Sequence, residues 1–569
     1  MNINKLSKNQ FAIILALEKY NEIGLSSLQK ETGIAKRTLI DNLNKLVKEG
    51  LIVKAGNGTN AYYKRNILET YISNSISVFK EGKKFGNLYF GNEGYSFKYD
   101  ANYKGDRPSD LIENIFVPDL FPEFENLIPE YERRRKLQNE YNPKDLAELL
   151  VYLKNTHGAY DFIYSYEENK YQHDYSHRPN WLVAKKKILD ENRYPNVLDN
   201  FIIEIDDEII KSKTAGEHSH LSGNQNKIDI NIDFENKSIK ESKDVSYYLL
   251  KPYNEKISDY FNQFKQKGKG YYPHIAINEH LFMSFAKNEL NFDVPYTALI
   301  KGEKEFHYIV KRYDRLDNYK YHQKDFAQYL GISSDKKYNS TSEELFIKIN
   351  EVLYNKEEKL KALKFYFYSN IIKHADLHTK NIGALNIGKD KHILTPLYDV
   401  ISVGIYYMNS DSLGLPINYR YKNQRKQFKI ESFYGLANIL GIKESEFKKE
   451  AKNIILTFLE KFPNYIESTK ELLKYDSLKI NSSRIGHTNF IIRMSNFYNE
   501  KITEFLRLGI LKDLNIEYYR DKLKNENLLK YNKHELDEIH KELTLKNKEA
   551  TDNLRALIEA ENKTKDLEL

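Results

Sequence analysis

The stretch that decides the fold is "IIKHADLHTKNIGALNIGKDKHILTPLYDVIS", residues 371 to 402. Asp376 and Asn381 stand in a D-x4-N spacing, and Asp399 follows after a segment long enough for a β-hairpin. Phosphoryl transfer needs such a set. One carboxylate orients an attacking hydroxyl and takes its proton, while an amide oxygen and a second carboxylate hold magnesium against the phosphates. With His374 two places before the aspartate, the spacing is that of the H-x-D-x4-N catalytic loop of protein kinases. Asp376 is therefore the candidate catalytic residue, and Asn381 and Asp399 are the candidate metal ligands. Taken singly, His374 and His378 would read as core histidines with hydrogen-bond partners.

Working outward, H-A-D-L-H-T-K-N followed by L-T-P-L-Y-D resembles the catalytic loop and metal segment of HipA-family serine/threonine kinases, toxins of type II toxin-antitoxin systems. The resemblance extends upstream. "HLSGNQNK" (His220 to Lys227) is similar to that family's glycine-rich loop, which implies nucleotide contacts from Ser222, Gly223, Gln225 and Lys227. Lys251, ending the apolar run "YYLLKPY", looks like the strand lysine that pairs the phosphates, and Glu279 like its helix glutamate. "IVKRYDR" (Ile309 to Arg315) resembles the hinge, placing Lys311 and Tyr313 at the adenine. His378 and Lys380 of the catalytic loop are expected on the nucleotide as well. The order of these segments is the one that builds a two-lobed kinase, so ATP and Mg²⁺ are the expected ligands.

Two departures stand out. Where such loops commonly carry an autophosphorylated serine there is His220, so this modification is expected at Ser222 or Ser219, or not at all. Lys311 replaces an acidic hinge residue, which leaves the nucleotide preference open.

The N-terminal segment carries different chemistry. Residues 1 to 66 hold eleven Lys and Arg against five Asp and Glu, nearly all of a net charge of +7. Such local charge points to nucleic acid. Phe11, Ile14, Leu15 and Leu17 predict a first helix; Ser26 or Ser27 starts a second, ended at Gly33; Ala35 to Glu49 reads as a third. Lys36, Arg37, Thr38, Asn42 and Lys45 on that third helix are suited to phosphates and base edges. "GLIVKAGNGTNAYYKR" completes the pattern as a hairpin wing. The segment resembles a winged helix-turn-helix of bacterial regulators, with a protein-docking module as the alternative.

At 569 residues the chain is too long for one core. The expected fold is α+β, a HipA-like two-lobed kinase with an N-terminal winged helix-turn-helix and a C-terminal helical extension. The expected units are 1–66, a HipA N-terminal subdomain at 76–145, and a kinase N-lobe at 146–312 with an insertion near 166–205. A helical C-lobe at 313–510 and an extension at 511–569 follow. The insertion, with the single Trp181, reads as a surface excursion. The last segment reads as a weak coiled coil or a helix lying on the C-lobe.

The absence of cysteine excludes disulfides and thiolate metal sites, and no signal peptide or membrane-spanning run is legible, so the cytosol is expected. The resemblance implies growth arrest through phosphorylation of a cellular protein, with aminoacyl-tRNA synthetases as candidate substrates. Expected partners are that protein, double-stranded DNA, an antitoxin and a second copy of the chain. A nucleotide-sensing transcription regulator and a small-molecule phosphotransferase remain open alternatives.

Overall fold

The computed structural model describes residues 7–20, 22–48, 51–56, 61–65, 74–91, 94–113, 115–172, 178–189, 193–206, 210, 227–242, 245–253, 274–303, 305–389, 391–406, 415, 417, 429–475, 490–520 and 533–565. The architecture is α+β. Among the described residues no helix is long and apolar enough to cross a membrane.

The first unit has helices Lys8–Tyr20, Leu25–Thr32 and Lys36–Lys48 and a three-stranded antiparallel sheet. In that sheet Tyr62–Arg65 lies between Glu22–Gly24 and Ile52–Ala55. Gly33 takes φ +68 and its N–H closes on Gln29 O at 2.9 Å, which ends the second helix where a side chain would be strained. Leu39, Leu43 and Leu46 turn one face of the third helix into a core with Ile13, Leu17 and Leu28. Lys36, Arg37, Thr38 and Lys45 are exposed on that helix. Asn42 is half-buried, and its amide donates to Thr38 O at 2.7 Å.

A second unit is a four-stranded antiparallel sheet in the order Gly94–Tyr99, Lys83–Gly91, Ser75–Lys80, Tyr160–Tyr164. Its core is aromatic, with Phe85, Phe97, Phe124 and Tyr160 in edge and tilted contacts. The last strand lies beyond the boundary expected at residue 145. Pairing across some eighty residues leaves no local periodicity from which to place it.

The third unit is a six-stranded sheet, ordered Thr297–Lys301, Phe306–Lys311, Tyr248–Lys251, Ile228–Asp233, Ser238–Glu241, Ile202–Glu204. Only its last pair is parallel. The helix Ile275–Asn288 covers one face, placing Leu281 and Phe285 in a core shared with the helices Ser342–Val352, Lys356–Ile371, Glu444–Thr469 and Phe490–Arg507. The two lobes are thus joined by one continuous apolar interior.

One expectation changes and one alternative is settled in part. The segment near 166–205 is no surface excursion at its tryptophan: Trp181 opens the helix Trp181–Ile188 and is 6% exposed against Tyr313, Tyr321 and Leu385. An indole removes a large apolar area from water, and a neighbouring hinge rich in tyrosine gives it somewhere to go. At the other end, the helix Lys533–Lys565 buries Leu536 in the main core and packs Ile539 and Leu543 against it. That part lies on the C-lobe, the second of the two readings of this segment.

Candidate active site

Lys251 ends a central strand, so its side chain emerges at the sheet's edge toward the second lobe. Its ammonium donates to Glu279 Oε1 at 2.6 Å and to Asp399 Oδ1. Glu279, in the helix that covers the sheet, is 1% exposed and Lys251 is 3% exposed. Lys227, just before the neighbouring strand, brings a second ammonium to 3.5 Å from Asp399 Oδ2. Burial opposes charge on Asp399, yet Lys227 and Lys251 together hold its carboxyl far below the usual carboxylate range. Burial pushes Glu279 up to about 7, Lys251 pulls it back in part, and the Asp399 charge adds to the rise. Lys251 itself, despite burial, is pushed up to about 12 by the two carboxylates.

Asp399 has φ +54, a left-handed backbone that costs a non-glycine residue energy and persists where the surroundings enforce it. The hairpin Gly383–Asn386 with His392–Leu394 leads up to it. Gly383 is required there, since a Cβ would stand 2.7 Å from Lys324 O on the adjoining strand.

The loop that carries Asp376, the candidate catalytic loop, begins where the helix Lys356–Ile371 ends. Lys373 turns left-handed (φ +51), and His374 N–H closes on Ser369 O at 2.8 Å. Asn381 N–H donates to His378 O at 2.9 Å, and the Asn381 side-chain amide donates to Asp376 O at 3.1 Å. That last bond uses the nitrogen end of Asn381 and keeps its oxygen for another partner. Burial pushes the Asp376 carboxyl up, toward a better base, and the Tyr338 hydroxyl, which donates to Asp376 Oδ1, pulls it back in part.

Magnesium takes oxygen ligands and keeps several waters, so it asks for only one or two protein donors. The Asn381 amide oxygen and the Asp399 carboxylate fit that need. Among the described residues there is no cluster of three or more His, Asp or Glu that could hold a metal ion.

Other expected contacts have different partners. Lys380 is 7% exposed, and its ammonium lies 2.9 Å from Glu130 Oε1, while Lys337 donates to Glu130 Oε2 at 2.8 Å. The catalytic loop is thereby tied to the unit containing the four-stranded sheet. Despite burial, the two lysines hold the Glu130 carboxyl down at about 2. His378 is buried with its ring centre 4.9 Å from that of Tyr338 in an edge-on arrangement, and burial lowers its affinity for a proton. Tyr313 is buried, donates to Gln323 Oε1 at 2.8 Å and stacks on Tyr398. Lys311 reaches Lys187 O at 2.6 Å, in the helix that begins at Trp181. Ser219, Ser222, Gly223 and Gln225 lie outside the described residues.

Sequence reasoning missed Glu130, Lys337 and Tyr338. Lys337 and Tyr338 were adjacent in "DKKYNS", but nothing local says that this loop meets residue 376.

Residues 219–465 match the family model described as the HipA-like C-terminal domain. A Haemophilus influenzae protein called "Putative kinase" is 29% identical over 162 residues, 26% of this chain and 47% of that protein. "Putative kinase Y4mE" of Sinorhizobium fredii is 25% identical over 189 residues, 32% of this chain and 43% of the relative. The chain thus spans about half or less of the curated relatives it matches. A chain of the Shewanella oneidensis MR-1 toxin-antitoxin complex of HipA, HipB and operator DNA superposes with a TM-score of 0.51 at 16% identity. That match covers 77% of this chain and 99% of the other, and establishes likeness of fold. Residues 219–465 of this chain thus form a HipA-like C-terminal domain, on a fold like that of HipA.

Proposed function

We propose that the protein is an ATP-dependent protein kinase that transfers the γ-phosphate to a serine or threonine of a cellular protein. The observation that carries this reading is the convergence of Lys227 and Lys251 on Asp399, with Glu279 holding Lys251 and with Asp376 and Asn381 joined in one loop. Lys251 and Lys227 bind the triphosphate and Glu279 fixes the Lys251 rotamer. Asp376 orients the acceptor hydroxyl and takes its proton. Asn381 and Asp399 hold magnesium, which neutralises charge on the phosphates when bound. Lys380 acts on the loop through Glu130, and Tyr313 borders the adenine.

The biological role we infer is a growth-arresting toxin or defence effector, in the cytosol, with an antitoxin partner and an aminoacyl-tRNA synthetase among the candidate targets. The Shewanella complex, which contains HipB and operator DNA, supports that direction. We read the first unit as a winged helix-turn-helix that binds duplex DNA. Its strand Tyr62–Arg65 pairs with Ile52–Ala55 as a wing, and Lys36, Arg37, Thr38 and Lys45 are exposed on the helix before it. Thiophosphate transfer from an ATP analogue into a cell lysate tests the activity: a labelled protein supports it. Absence of labelling above an Asp376→Asn control would contradict it.

A further inference from the structure

The acceptor hydroxyl in phosphoryl transfer must hydrogen-bond the catalytic carboxylate, and that position is already filled. Tyr338, which is 43% exposed, donates its phenolic hydrogen to Asp376 Oδ1. Its neighbourhood is fixed against the catalytic loop by several contacts. Its ring meets His378 edge-on at 4.9 Å, and Thr379 Oγ1 donates to Lys337 O at 3.0 Å. The Lys337 ammonium is held by Glu130 and lies 5.8 Å from the Tyr338 ring centre. A hydroxyl held beside the base in the same chain has the proximity that makes an intramolecular reaction fast. The Tyr398 hydroxyl donates to Lys380 O at 2.8 Å, which ties the loop carrying this base to the segment that ends in Asp399.

Resting on the phosphotransfer reading above, we propose that Tyr338 is a phosphate acceptor, modified by the protein's own active site. In the step, the phenolic proton passes to Asp376 and the Tyr338 oxygen forms a bond to the γ-phosphorus of ATP. The bond from that phosphorus to the β,γ-bridging oxygen breaks, and ADP leaves with the electron pair. The product is self-limiting. A phosphotyrosine carries close to two negative charges beside the Asp376 carboxylate, and like-charge repulsion there disfavours a second acceptor.

The test incubates the full chain with magnesium and radiolabelled ATP, then maps phosphopeptides by mass spectrometry. The proposal expects label on the Tyr338 peptide approaching one phosphate per chain, with a labelled fraction unchanged on dilution. It also expects no label there in Asp376→Asn or Tyr338→Phe, the latter keeping the ring against His378. Label confined to Ser219, Ser222 or a separate protein, with Tyr338 unmodified, overturns this inference and leaves the kinase reading intact. Failure to bind ATP and to transfer phosphate to anything overturns both. Circular dichroism of each variant separates loss of label from loss of fold.

Discussion

Glu130→Gln should destabilise the protein by about 3 kcal/mol at neutral pH and loosen the catalytic loop. Glu130 Oε2 accepts from the buried Lys337 ammonium at 2.8 Å, and the buried Lys380 ammonium forms an ion pair with Oε1 at 2.9 Å. A carboxyl held at about 2 in the folded protein, against an ordinary 4.5, contributes about 3 kcal/mol of stability. Removing one partner of a buried pair costs about 3–5 kcal/mol by independent experience, so the two routes agree. Because the folded value is depressed, this stabilisation is complete above the unfolded value of 4.5 and disappears as pH falls through about 2. Roughly 1.4 kcal/mol of it should survive at pH 3. Urea denaturation followed by Trp181 fluorescence suits the measurement, since this is the only tryptophan and it is buried beside the hinge. The parent and variant midpoints should differ most at pH 6 to 7 and converge toward pH 3. Equal midpoints at neutral pH would refute the reasoning, and so would a gap that does not shrink with acid.

Lys251→Met should weaken ATP binding by about tenfold or more, or at least about 1.4 kcal/mol in calorimetry. The same change removes the cation from Glu279, raising its carboxyl above the present value of about 7. A raised folded value means stability lost as pH rises through it, so the variant should keep losing stability above pH 7, where the parent levels off; parallel curves would contradict this. Duplex binding by the full chain should fall steeply with salt. Replacing Lys36 and Arg37 together by alanine should reduce the logarithmic salt slope by about 2, and an unchanged slope would remove them from the interface.

The catalytic segment was legible because its chemistry is local. Asp376, Asn381 and Asp399 sit within 24 residues, with a segment between them long enough for the hairpin that forms. Lys251 and Glu279 were legible only by their order along the chain, and the structure joins them at 2.6 Å. What escaped depends on contacts between distant segments. Lys380 sits in the catalytic loop, yet its ammonium answers to Glu130, 250 residues earlier, because a buried lysine goes to the nearest buried carboxylate. Trp181 looked exposed in a polar stretch, since nothing near it in sequence shows the tyrosines it packs against. The strand Tyr160–Tyr164 was lost to a boundary drawn from a loose family resemblance, while its partner Ser75–Lys80 lies far upstream.

The central claim is that Asp376, Asn381 and Asp399 serve one nucleotide site, with the base separable from the phosphate-binding groups. Binding of magnesium-ATP, measured by calorimetry alongside phosphate transfer in parent and Asp376→Asn, tests it most directly. The account predicts that transfer is lost in the variant while the ATP dissociation constant stays within about threefold, under 0.7 kcal/mol. Transfer by Asp376→Asn at the parent's rate would contradict it.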